Sequence, residues 1–148
     1  MRIRSLVASL AALLLGAAVP VAAQTTLNVV TAGDQNMVDY VNDFLGPRFE
    51  KLNPGVKVRA VGTGPGDAGS QKIYEKLSAQ QKANVAAWDT DVAVVHQRGA
   101  ATMVKESLLM RYRNDVAAGK LVTRDSAKNA LGANVDGYVL PMFHSQIA

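Results

Sequence analysis

The sequence contains no cysteine, and this absence excludes several common kinds of exported protein. A disulfide framework and a cysteine zinc site both require thiols. A lipid anchor attached to a cysteine behind an export signal is excluded for the same reason. Aromatic residues are also few, at 5% of the 148 residues. The basic residues are scattered, without a run of the kind that grips a phosphate backbone, so we expect no nucleic-acid partner.

The chain also lacks the motifs of common catalytic and metal sites. A G-x-S-x-G nucleophile elbow does not occur. His96 and His144 are the two histidines, and neither belongs to a cluster with metal-ligand spacing. Ser145 stands beside His144, but the members of a catalytic triad meet in space rather than in sequence. We therefore predict no catalytic residue, no metal site and no cofactor.

The first 23 residues have the pattern of a secretory signal peptide. Arg2 and Arg4 form a positive start, and the apolar run over residues 6–19 is too short for a stable membrane span. Small side chains precede a predicted cleavage after Ala23. Removal of 23 from 148 residues leaves a chain of 125 that begins at Gln24. The alternative is an uncleaved membrane anchor, which the length of the run disfavours. An exported, cysteine-free chain favours the periplasm of a Gram-negative cell.

The remainder alternates between strand and helix patterns. The predicted strands are residues 26–31, 56–61, 91–95 and 135–143, and the predicted helices are 36–52 (in which Pro47 predicts a kink or a break after Leu45), 70–84, 100–110 and a stretch within 115–130. We expect residues 91–95 to be buried on both faces of the sheet. The order of elements predicts an α/β fold, with an open, mostly parallel sheet and helices on both faces.

Ligands of such sheets bind outside the carboxyl ends of the strands. This rule selects the candidate ligand-binding residues Asp34, Gln35, Gly64, Asp67, Gly69, Ser70, His96, Gln97 and His144. Trp88 precedes the third strand and is expected at the opposite edge, where it packs. Asp89 and Asp91 beside it are expected to be cap or turn residues.

The loop over residues 62–69 matches G-x-G-x-x-G, the fingerprint of dinucleotide sites. It follows the second predicted strand rather than the first, and Pro65 stiffens it, so we do not interpret it as a cofactor site. Its small residues would instead let a ligand approach the backbone beside a helix that Ser70 is predicted to cap. Asp67 would favour hydroxyls, amines or a cation. The alternative is a solvated loop in which Ser70 only caps its helix.

Taken in order, these segments resemble the opening of a periplasmic solute-binding protein of an ABC importer. The most specific part is the phrase F-E-K-L-N-P-G-V-K-V at residues 49–58. Residues 137–142 are similar to the strand that leads such chains toward a second lobe. The resemblance implies a periplasmic-binding-protein-like fold of type II. Residues 24–148 would form its N-terminal lobe and the start of the crossover, and the sequence is then expected to be a fragment of a two-lobe protein.

The resemblance also implies a function. The chain would belong to a periplasmic receptor that binds a small solute between two lobes and delivers it to an ABC-type permease in the inner membrane, without performing chemistry. The solute would be of the polyamine, thiamine, iron or sugar class, and the full-length protein is expected to be a monomer. Two alternatives remain, namely an exported α/β enzyme of hydrolase type and a periplasmic sensor or scaffold subunit.

Overall fold

A three-stranded parallel sheet is the centre of the computed structural model, which describes residues 24–122 and 135–142. Its strands are β1 (Thr25–Thr31), β2 (Val56–Gly62) and β3 (Val92–Val94), in the spatial order β2-β1-β3. The register pairs the whole of β1 with β2, and the end of β1 with β3. The first three of the four predicted strands are confirmed. The expected burial of the third on both faces is wrong, because Val92 is 43% exposed on a strand at the edge of the described sheet.

One helical segment connects β1 to β2, and it does not break at Pro47. It consists of α1 (Gln35–Asp39), a π-helical turn (Tyr40–Leu45) and α2 (Gly46–Leu52). Proline lacks an N–H, and its ring crowds the carbonyl four residues earlier, which is why a break was expected. The wider π turn ends at Leu45, the position of the predicted kink or break, and α2 follows with Pro47 in its first turn, where a missing N–H leaves no bond unmade.

The helix after β2 begins one turn earlier than the sequence predicts. This helix, α3 (Gly66–Lys82), is preceded by Pro65 in extended conformation as its N-cap. The predicted N-cap role of Ser70 is therefore wrong. Ser70 lies in the second turn and is buried, and the hydroxyl of a buried serine finds its partner in a neighbouring segment rather than at its own helix start.

Shorter helices follow β3. They are α4 (Gln97–Lys105), α5 (Tyr112–Asp115) and a 3₁₀ turn (Ala117–Leu121). The helix predicted over residues 100–110 exists but begins three residues earlier and ends before Ser107, which has a left-handed φ of 58°. Of the helical stretch predicted within 115–130, the structure describes the part up to residue 122, and there it is a 3₁₀ turn.

Two hydrophobic cores lie on opposite faces of the sheet, because successive side chains of a strand point to opposite sides. One core joins β1 to α3 and α4, and its buried members are Val30, Ala32, Ile73, Leu77, Met103 and Leu108. The other joins β1 and β2 to the first helical segment, through Val29, Val38, Val41 and Ala60. The α/β class and the parallel open sheet are thus confirmed, with helices packed on both faces.

The strand predicted over residues 135–143 is wrong for 135–142, the part that the structure describes. Residues 135–138 form a turn, with Gly137 at a left-handed φ of 83°. Arg113 fixes this turn through two contacts. Its guanidinium contacts the Asp136 carboxylate at 2.6 and 2.7 Å, and its main-chain N–H donates to the Gly137 carbonyl. Polar contacts with α5, rather than sheet pairing, therefore set the local conformation.

Within residues 24–122 and 135–142, none of the helices combines the length and the apolar character needed to cross a membrane. The predicted signal peptide, at residues 1–23, lies outside the described residues. So does His144.

Candidate functional site

The carboxyl ends of the three strands meet at one edge of the sheet, where two main-chain bonds hold them together. The Ala32 N–H donates to the Val94 carbonyl at 2.8 Å, and the Thr63 N–H donates to the Thr31 carbonyl at 2.9 Å. Each strand then passes into a helix that begins at this edge. The segments predicted from the strand-end rule are therefore found on the same side of the molecule.

Gly69 allows α3 to begin close to the sheet. A Cβ atom at this position would collide with the Gly64 carbonyl and come within 3.2 Å of the Ala32 Cα. The Thr63 hydroxyl lies 2.9 Å from the Gly69 carbonyl oxygen and adds a bond across the loop. Gly64 itself has a left-handed φ of 101°, which favours glycine. Both glycines thus serve the packing of the loop; a direct contact of theirs with a ligand stays a prediction.

Ser70 connects α3 to α4, two of the helices that begin at this edge. Its Oγ accepts the main-chain N–H of His96 at 2.9 Å, and His96 is the N-cap of α4. Only 2% of Ser70 is exposed. Gly99 packs against it so closely that a Cβ there would lie 3.0 Å from the Ser70 Cβ. Ser70 therefore positions the start of α4, and a direct contact with a ligand stays a prediction.

Three charged or titratable side chains meet above Ser70. Asp67 Oδ1 lies 3.5 Å from His96 Nδ1, and Asp67 Oδ2 lies 4.0 Å from Arg98 Nη1. The side chain of Asp67 is 66% exposed and that of Arg98 is 91% exposed. Exposed pairs of this kind contribute about 0–1 kcal/mol, so a ligand can replace them at small cost.

Asp67 and Arg98 border a groove of about 240 Å³ between α3 and α4. The residues that line it are Asp67, Ser70, Gln71, Tyr74, Arg98, Gly99 and Thr102. The Tyr74 hydroxyl donates to the Glu106 carboxylate at 2.8 Å, and this bond raises the pKa of Tyr74 above its ordinary value. Tyr74 therefore remains a neutral hydroxyl at physiological pH.

Both helices begin at the groove, so their first N–H groups and the positive ends of their dipoles lie there too. Asp67 and Arg98 add one charge of each sign. The sequence reasoning missed Arg98, although this residue directly follows the candidates His96 and Gln97. The arrangement suits a small polar ligand that combines donors and acceptors.

Of the predicted site residues that the structure describes, Asp67 and Ser70 line the groove, and the others, His96 among them, lie at the same edge outside it. Asp34 is the exposed N-cap residue of α1, and the Gln35 amide donates to Asp39 at 2.8 Å on its own helix. Gln97 is exposed at the first position of α4. Within the described part of the chain, no group of three or more metal-ligating side chains is found.

The opposite edge of the sheet holds the residues expected there. Trp88 lies in the segment that leads into β3, but it is 38% exposed, so the expectation that it packs is wrong. Asp91 Oδ2 accepts the main-chain N–H of Asn28 at 2.8 Å and so anchors the start of β3 on β1. Asp89 pairs with Lys76 of α3 at 2.9 Å. The two aspartates therefore hold the entry to β3.

Comparisons of the chain with known protein families, with curated proteins and with solved structures find no match. A functional assignment therefore rests on the pattern of the sequence and on the geometry of the groove.

Proposed function

We propose that this chain forms the first lobe of an exported receptor, which binds a small solute and delivers it to an ABC-type permease in the inner membrane. The observation that carries the proposal is the groove between α3 and α4. It lies at the carboxyl edge of a parallel sheet, where open α/β folds bind ligands. The second lobe, the periplasmic location and the monomeric state are parts of the same proposal.

The most specific phrase of the resemblance supports this proposal through its local structure. Residues 49–58 form the end of α2, a tight turn and the first half of β2. Gly55 has a left-handed φ of 90° in this turn, and the Thr25 N–H donates to its carbonyl at 2.9 Å. These residues thus form the last part of the crossover from β1 to β2, including the turn that places β2 beside β1.

The groove favours a ligand with donors and acceptors on one small frame. Asp67 accepts from hydroxyls or amines, while Arg98 and the two helix starts donate to oxygens. Among the solute classes considered, thiamine and sugars offer both kinds of group, whereas a protonated polyamine offers donors only and would rely on Asp67. An iron solute would have to present oxygen atoms of a chelate to the groove.

A hydrolase is the second candidate, because an aspartate, a histidine and a serine lie close together at this edge. Their geometry disfavours it. Ser70 is buried, and its oxygen accepts the main-chain N–H of His96 rather than a bond from the imidazole. A nucleophilic serine needs the imidazole within hydrogen-bond reach as its base. Ser70 is therefore not placed as a nucleophile that the Asp67–His96 pair could activate.

The proposal is tested with the whole gene product, purified from the periplasm of a Gram-negative host. Thermal unfolding and calorimetric titration are measured with spermidine, thiamine, ferric citrate and maltose. We expect one class to raise the unfolding midpoint and to bind with saturation. Ester hydrolysis that disappears in His96→Ala, without binding of any solute, would support the enzyme instead. Co-purification with a membrane protein, without solute binding or turnover, would support the sensor or scaffold.

A further inference from the structure

The edge of β2 that faces away from β1 is occupied by the chain's own preceding helix and turn. In a parallel strand, alternate residues direct their N–H groups toward the same side. Of the four alternate residues of β2 whose N–H groups lie on the side away from β1, the first three donate to this segment: Val56 to the Asn53 carbonyl at 3.1 Å, Val58 to Glu50 Oε1 at 2.9 Å and Ala60 to Asn42 Oδ1 at 2.8 Å. No N–H group on this side from Val56 to Ala60 is left open.

Asn42 imitates a neighbouring strand most closely. Its Oδ1 accepts the Ala60 N–H, and its Nδ2 donates to the Ala60 carbonyl at 3.1 Å. One side-chain amide thus satisfies both backbone groups of a strand residue, as the peptide groups of an added strand would. Ala60 is 5% exposed, so water gives it little alternative.

The π-helical turn and α2 supply these contacts. Asn42 lies in the π turn, and Glu50 follows in α2. The second oxygen of Glu50 contacts Lys57 Nζ at 2.7 Å, which holds the carboxylate against the strand. The helical segment therefore does more than bury apolar side chains of the sheet.

We infer that Asn42 and Glu50 close the β2 edge of the sheet against strand addition by a second copy of this chain. An open strand edge is a template for pairing with another chain, and proteins protect such edges with helices, loops or charges. Here the protection consists of specific hydrogen bonds from two side chains. The inference rests on these bonds alone and is independent of the proposed function.

The inference is tested with Asn42→Ala in the full chain. The substitution removes both bonds to Ala60 but none of the main-chain pairing between β2 and β1. We expect amide exchange at Ala60 to accelerate by about two- to tenfold, as the loss of one hydrogen bond implies. We also expect sedimentation velocity to show that the variant associates increasingly as its concentration rises. The sedimentation coefficient of the unsubstituted chain should not change over the same concentrations. Asn36→Ala, an exposed asparagine on the same helical segment, is the matched control and should change neither measurement.

Two further variants separate edge opening from simple unfolding. Asn42→Asp keeps an acceptor for the Ala60 N–H, so protection there should be largely retained and association weaker than in Asn42→Ala. Val61→Lys adds a charge at an exposed position of β2, and combined with Asn42→Ala it should suppress association. Retained protection at Ala60 and no association in Asn42→Ala would overturn the inference. Association that persists undiminished with Val61→Lys would do so too, because the contact would then lie elsewhere.

Discussion

At the scale of single residues, the groove depends on a division between side chains that hold its walls and side chains that face its interior. Ser70 and Gly99 set the distance between α3 and α4, whereas Asp67 and Arg98 are exposed beside them. Because the two charges are neighbours, removal of one changes the environment of the other. A substitution in this group therefore reports the charge of the ligand.

Asp67→Ala is expected to weaken binding of a cationic or hydroxyl-rich solute by about ten- to hundredfold in Kd. The physical reason is the loss of one charge-assisted hydrogen bond, roughly 1.5–3 kcal/mol. For an anionic solute the same substitution should tighten binding, because Arg98 and the helix starts then act without an opposing carboxylate. Calorimetric titration of the whole gene product measures either change.

Trp88→Phe is the control for that titration, since Trp88 lies at the opposite edge of the sheet. Its affinity should stay close to that of the unsubstituted protein. A loss of binding in Trp88→Phe together with unchanged binding in Asp67→Ala would mean that the site is at the other edge.

Gly69→Ala is expected to destabilise the protein, although alanine favours helices over glycine by about 1 kcal/mol. The added methyl group would collide with the Gly64 carbonyl and crowd Ala32, so the start of α3 would have to move. We expect a net loss of roughly 1–3 kcal/mol in the free energy of unfolding, measured by urea denaturation. Lys72→Ala, on the exposed face of α3, should be nearly neutral; a more stable Gly69→Ala would show that the loop yields easily.

At the scale of elements, local patterns predicted those elements whose conformation depends on near neighbours. The β-branched residues of β1 and the apolar spacing over residues 36–52 are strong local signals, and the strand and the helical segment were both found. Only part of that apolar stripe is buried, since Phe44, Phe49 and Leu52 are exposed. The strand expected at residues 135–143 had the same kind of residues but no sheet neighbour over 135–142. There the ion pair from Arg113 decides the conformation, and a contact between residues 23 apart leaves no local signal.

The ion pair of Glu50 in α2 with Lys57 in β2 is expected to make the free energy of unfolding depend on pH in the acid range. The Lys57 ammonium, followed by the Val58 N–H, lowers the pKa of Glu50 through hydrogen bonds. A carboxylate with a lowered pKa stabilises the fold above its ordinary pKa of about 4.3, and this contribution is lost as pH falls through the lowered value. Glu50→Gln should therefore flatten the decline in unfolding free energy below about pH 4.3.

Urea denaturation at a series of acid pH values measures this effect. Glu75→Gln is the matched control, because the Glu75 carboxylate accepts from the neutral amide of Gln71. Its pH profile should follow that of the unsubstituted chain. An equal flattening in both variants would assign the acid sensitivity to another group.

At the scale of the whole molecule, the strand-end rule selected the edge of the sheet where the groove lies, but it did not select every residue that lines the groove. It placed Asp67, Ser70 and His96 together, as the structure does. It could not give their roles, because the burial of Ser70 depends on where α4 packs on α3. It also missed Arg98, since an exposed arginine on a helix carries no signal of its own until the partner helix is known.

Export is the prediction that concerns the molecule as a whole. Expressed in a Gram-negative host with all its residues, the chain should be recovered from the periplasm with Gln24 as its first residue. Terminal sequencing of the periplasmic and cytoplasmic fractions measures this. An Ala23→Leu variant should slow processing, because the peptidase site requires a small side chain there. Recovery of the chain from the cytoplasm with Met1 intact would contradict the signal peptide.

The central strand of the sheet is also the first of the three to be synthesised, and this order has a consequence for folding. β1 pairs with β2 across 31 residues, as Thr25 with Val56, and with β3 across 63 residues, as Val29 with Val92. Doubling the loop adds about 0.6 kcal/mol of closure entropy, so β1 and β2 should pair first. Pulse-labelled exchange should protect the Thr63 amide, bonded to Thr31, before the Ala32 amide, bonded to Val94; the reverse order would contradict this. Until residues 92–94 are synthesised and pair with β1, one side of β1 remains available to any other strand. A newly made chain is therefore most exposed to mispairing with another chain during this interval.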